Sequence, residues 1–178
     1  INASLVLSYV AMRKDDKAGL VTFNEYFDTF VPASKQVGQM QTLLENLYKQ
    51  ETTFGETDFS ALCGHLGKHV NKRSFLVLYT NFSNMTSLNR QLVYLQQLAR
   101  QHRVLVVFFE DADLKEYIAG KSVTTYYRHV IAEKFAFEKR LIVSTLKQHG
   151  IYSLLTTPDK LSIDVINKYL EMKSRQLL

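Results

Sequence analysis

Three short apolar runs constrain this chain more than anything else in it: "SFLVLYTN" at Ser74–Asn81, "HRVLVVFFE" at His102–Glu110 and "IYSLLTT" at Ile151–Thr157. Each is shorter than an ordinary helix and is rich in β-branched or aromatic residues. That pattern predicts strands, as near-continuous apolar runs are when a sheet is covered on both faces. Between them, apolar residues recur at helical spacing. Leu88, Leu92, Leu95 and Leu98 form one stripe, and a long helical region spans Ser122 to His149. Gly150 follows it in the position where a left-handed cap is expected. Alternation of this kind predicts an α/β fold with a mostly parallel central sheet and helices on its faces.

The first part of the chain carries softer signals. "NASLVLSYVAMR" (Asn2–Arg13) is a helix, and "AGLVTFN" (Ala18–Asn24) a short buried strand after the turn "KDDK". "EYFDTFVPA" is an extended edge segment, because Pro32 cannot donate to a sheet ladder. Met40, Leu43, Leu44 and Leu47 mark one helix, and Phe59, Leu62, Cys63, Leu66 and Val70 another. Pro158 and Asp159 open a last helix through "IDVINKYLEMKSRQ". With no repeat and no linker composition, 178 residues are expected to form a single domain.

Composition narrows the function classes. Hydrophobic residues at 46% and charged residues at 22% suit a globular domain, and a net charge of +5 falls short of the dense basic patches that bind nucleic acid. The single cysteine cannot form an internal disulfide. The run "VLVVFF" is too short to span a bilayer.

Motifs of catalytic type are weak. "AGKS" at Ala119–Ser122 ends like a phosphate-binding loop, but the required first glycine is Lys115, so a helix end and turn is the better reading. His65 and His69 share a helical face without a third ligand, which favours two solvated side chains beside Lys68. Cys63 lies on an apolar stripe and reads as a packed thiol. Glu110, Asp111 and Asp113 end a buried strand, where carboxylates either hold a cation or cap the next helix; capping is favoured.

Several stretches resemble a known family when taken in order. "KDDKAGLVTFNEYFDTFVPAS", "ETTFGETDFSAL" and "RSFLVLYTNFSN" are similar to successive segments of von Willebrand factor A-like domains. The stretch from "YYRHVIAEKFAFEKR" to the end resembles one bacterial branch of them, domain of unknown function 58, whose members often sit beside MoxR-type AAA+ ATPases. The resemblance implies a three-layer α/β/α sandwich and a metal-ion-dependent adhesion site at the strand C-termini. In that pattern Thr57 matches the loop Thr, and Asn81 stands where the last Asp would be. The Asp-x-Ser-x-Ser element would precede Ile1, so the chain is expected to be a fragment lacking the first strand.

An Asn in that place brings an oxygen but no charge for a hard dication. The resemblance therefore implies a degenerate site: no cofactor is expected, and Mg²⁺ at most weakly. The edge of the site would hold Thr57, Asp58, Asn81, Asp111 and Asn24, with Glu25 nearby. A cytoplasmic interaction domain, anchored through membrane segments outside this chain and partnered by a MoxR-type ATPase, is the expectation. Self-association through an incomplete sheet is a further one. The alternative is a metal-assisted hydrolase using Glu110, Asp111 and Asp113 with Asp58.

Overall fold

Among the described residues, Arg103–Phe109 is the most deeply buried stretch: Val104, Leu105, Val106, Val107 and Phe108 are all at most 2% exposed. A strand that hides both faces in this way must lie inside a sheet. The computed structural model describes residues 1–23, 27–50, 57–82, 84–109 and 123–178, with the backbone alone for Phe27 and 123–129. In chain order its elements are α1 (Asn2–Arg13), β1 (Ala18–Phe23), β2 (Phe27–Ser34), α2 (Gln39–Tyr48) and α3 (Phe59–His69). They continue with β3 (Phe75–Tyr79), α4 (Met85–Gln101), β4 (Arg103–Phe109), α5 (Val123–Gln148), β5 (Tyr152–Thr156) and α6 (Leu161–Ser174).

The chain divides into two compact units, one of residues 1–71 with 162–176 and one of 72–161 with 177–178. In the second unit β4 lies between β3 and β5, parallel to both. The α4 connection packs on β4, the α5 connection packs on β5, and the two helices touch. Leu88, Leu95 and Leu98 of α4 are buried, as their spacing predicts. Asn84 caps this helix in a reciprocal box with Ser87. At the end of α5, Gly150 takes φ +72°, and Ile151 N–H reaches back to the Leu146 carbonyl at 3.0 Å. This is the left-handed cap expected there, with buried Ile151 as its apolar anchor.

The first unit is built differently. β1 and β2 form an antiparallel pair, so the edge segment around Pro32 is a full strand. The register slips between Ala18 and Leu20, opposite the stretch that carries Pro32, so the missing N–H falls where the ladder is already irregular. Gln39 Nε2 bridges this spot, donating to the Ala18 carbonyl at 2.8 Å and the Pro32 carbonyl at 2.9 Å. A side chain at Gly19 would lie 2.8 Å from Ala33 N and Val31 O, so the close approach of the two strands needs glycine. Only Ala18 of β1 is buried, which corrects the expectation of a buried strand there. A small core of Ala18, Val31 and Leu43 is flanked by Leu5, Met12, Leu20 and Met40.

The fold is thus α/β with a parallel three-stranded sheet, as expected, together with a separate antiparallel pair. Among the described residues, the strand beginning at Ala18 belongs to the two-stranded sheet and the one beginning at Phe75 to the three-stranded sheet.

Candidate functional site

In a parallel sheet, the C-terminal strand edge is where ligands usually sit. In the second unit this edge starts beyond Tyr79, Phe109 and Thr156. Past β3, the Thr80 N–H still bonds the Val107 carbonyl at 3.0 Å, and the chain then leaves the sheet. Asn81 is exposed and Phe82 buried. The ammonium of Lys139, from α5, donates to Asn81 Oδ1 at 2.8 Å and to the Phe82 carbonyl at 2.6 Å. It also sits 5.5 Å from the centre of the Phe108 ring. A tethered cation therefore occupies the end of β3, holding the two oxygens that a hard dication would seek. Its charge opposes a second cation in the same place.

The other expected edge residues lie in the first unit or outside the described residues. Thr57 and Asp58 belong to the first unit, just before α3. Asp58 is the cap of that helix: its Oδ1 accepts the Ala61 N–H at 3.0 Å. Asn24, Glu25, Glu110, Asp111, Asp113 and the "AGKS" stretch lie outside the described residues. Among the described residues, no group of three or more His, Cys, Asp or Glu is placed to hold a metal ion. No described helix is long and apolar enough to cross a membrane.

Cys63 is buried, and burial followed by the Asp58 charge pushes its thiol up to about 11, which suits packing rather than nucleophilic chemistry. His69 of α3 is exposed, as expected, while His65 is half-buried. Their rings stack at 4.0 Å, and the Phe30 ring of β2 lies 5.0 Å from His65 and 5.5 Å from His69. Burial, then the charges of His69 and Lys68, lower the His65 pKa, so the packed ring favours its neutral form.

Sequence reasoning missed three features. Lys139 lies on the inward stripe of α5 with Ala132, Ile142 and Leu146, and a lysine at such a position is the signal that was available. A second feature joins α6 to the turn after α1. Tyr169 donates its hydroxyl to Asp16 Oδ2, and Lys173 Nζ donates to the same oxygen at 2.6 Å and to the Lys14 carbonyl at 2.9 Å. Burial pushes the Asp16 carboxyl up, but the bonds from Lys173 and Tyr169 and the Lys173 charge outweigh it and hold the pKa below 3.8. Burial and the Asp16 carboxylate push the Tyr169 phenol well above its ordinary value, so this hydroxyl is a structural donor. Third, His102 is 2% exposed between α4 and β4, and its Nδ1 accepts the Ser74 N–H at 3.3 Å.

Neither a curated protein nor a solved structure matches this sequence. A family model does, over residues 1–118, the stretch that holds the β1–β2 pair, β3, β4 and Asn81. On that match the chain belongs to the family described as "Protein of unknown function DUF58".

Proposed function

We propose that this chain is a non-catalytic protein-interaction module whose strand-end rim binds a protein partner, with a MoxR-type AAA+ ATPase as the partner to test first. In this reading the domain is von Willebrand factor A-like, and its metal-ion-dependent adhesion site is degenerate. The observation that carries it is the Lys139 ammonium on Asn81 Oδ1 and the Phe82 carbonyl. An adhesion site needs oxygens around a dication with one position open to a partner's carboxylate. Here a protein cation takes two such oxygens and fixes the loop without a metal. The role of Asp58 as a helix cap also removes one carboxylate from a hydrolytic set.

The module would act as an adaptor or scaffold, on the cytoplasmic side of a membrane to which other segments of the protein attach it. Self-association by strand pairing at a sheet edge is a further part of this reading.

Titration calorimetry tests both halves. The purified chain is expected to bind a MoxR-type ATPase expressed beside it, to lose affinity on Asn81→Ala or Thr57→Ala, and to give no heat with Mg²⁺ or Mn²⁺. Metal binding that Asp111→Ala abolishes would overturn this reading in favour of a metal-assisted hydrolase.

A further inference from the structure

The turns that lead into β3, β4 and β5 carry cations and no acidic side chain. They read Lys72-Arg73-Ser74, Arg100-Gln101-His102-Arg103 and Lys147-Gln148-His149-Gly150. The strands are parallel and in step, with Phe75 level with Arg103 and Leu105 with Tyr152. All three turns therefore fall on one edge of the sheet, opposite the edge that holds Asn81. Neighbouring strands stand about 5 Å apart, so the row spans about 10 Å, near one Debye length, and its charges act together. Lys72, Arg73, Arg100 and Lys147 are exposed, and Arg103 is half-buried, its Nε donating to the Leu177 carbonyl at 3.0 Å. Among the described residues, none of these cations is in an ion pair. The described acids of this unit are Glu133, Glu138 and Asp159. Glu138 lies about 15 Å before the end of α5, and Asp159 follows the far end of β5.

A cation in the last turn of a helix offsets the helix dipole, which accounts for Arg100 and Lys147. Lys72, Arg73 and Arg103 lie outside the helices, so the dipole leaves them unexplained. We infer that this edge rests on an anionic lipid bilayer. Three features choose that occupant. Helices α4 and α5 bring their carbonyl ends here, so the edge offers side-chain charge without the N–H cradle of a phosphate site. Its turns expose no large apolar side chain, the anchor that a protein partner needs. The turns are also short, with His102 alone between α4 and β4 and His149–Ile151 between α5 and β5, so little chain projects. Nucleic-acid binders instead lay an element in a groove or stack bases on aromatic rings. A plane of lipid headgroups asks only for several cations close together. Lipid at this edge leaves the Asn81 edge open to a protein partner.

Vesicle flotation at low ionic strength tests this, with circular dichroism confirming that each variant is folded. The wild type is expected to float with phosphatidylcholine vesicles holding about one-third phosphatidylserine, and not with phosphatidylcholine alone. Salt at about 0.5 M should release it. Lys72→Gln, Arg73→Gln and Lys147→Gln should each weaken binding roughly fivefold, and the three together should abolish it. Lys134→Gln and Arg140→Gln remove exposed charges from the body of α5 and should change it by less than about twofold. A wild type that does not float overturns the inference, as does binding that survives the triple change. Equal losses in the Lys134 and Arg140 variants would reduce the attraction to net charge and refute it too. Binding to a duplex DNA fragment in place of vesicles would reassign the edge to nucleic acid and also overturn it.

Discussion

The two units reach order by different means. The second is organised around one strand: β4 pairs on both sides and buries five consecutive apolar residues, so its core is continuous and its backbone groups are satisfied by the ladder. The first has a two-stranded ribbon that buries little, and a pair of strands alone is marginal in water. It is completed by side-chain bonds between distant segments: Gln39 across the register slip, and Tyr169 and Lys173 onto Asp16. Apolar packing in the first unit comes from its helices, where Leu43, Phe59, Leu62, Leu66, Val165 and Met172 are buried, rather than from its sheet, and the side-chain bonds add stitches between segments. The difference teaches where a substitution should hurt most, and by what mechanism.

The largest effect is expected in the second unit. Phe108→Ala removes a fully buried ring from the centre of the sheet and should cost about 3–5 kcal/mol in chemical denaturation. Hydrogen exchange should then accelerate in peptides covering Phe75–Tyr79 and Tyr152–Thr156 before those covering β1 and β2. Equal acceleration in all of them would break the distinction. Next comes Tyr169→Phe, which deletes the donor to Asp16 and should cost about 1–3 kcal/mol, since a hydrogen bond to a charged group is lost. Its exchange signature should appear around Asp16 and in α6, while β4 remains protected.

The smallest expected effect is set by pH. Burial lowers the His102 pKa in the folded protein below its ordinary 6.5, so the unfolded chain takes up the proton first. The stability this neutral ring contributes is complete above pH 6.5 and is lost as pH falls from there toward the lower folded value. Protonation also turns the acceptor facing Ser74 N–H into a donor. Denaturation midpoints taken between pH 7.5 and 5 should fall less in His102→Gln than in the wild type. An identical fall in both would assign the acid sensitivity to other groups, with the stacked His65 as the first alternative.

Much of the architecture was legible along the chain, for a local reason. The strands at Phe75, Arg103 and Tyr152, the stripes of α4 and the cap at Gly150 each follow from residues within one element, where burial and backbone geometry act on neighbours. The candidate site was legible only in part. Asn81 could be placed at a strand end, but Lys139 lies 58 residues away, and nothing in periodicity pairs the two. Asp58 could be placed before a helix, yet whether it caps or faces a ligand depends on a single side-chain rotation.

By itself the order of apolar runs, helical stripes and turn residues determined which segments are strands and helices, because those preferences are settled within a few residues. Tertiary structure alone decided that β1 and β3 join different sheets, and that the last helix is held by Asp16, 153 residues from Tyr169. It also decided that the ammonium of Lys139 meets the end of β3. Such contacts join groups that share no local pattern, so only the folded chain brings their charges and hydrogen-bonding atoms within reach.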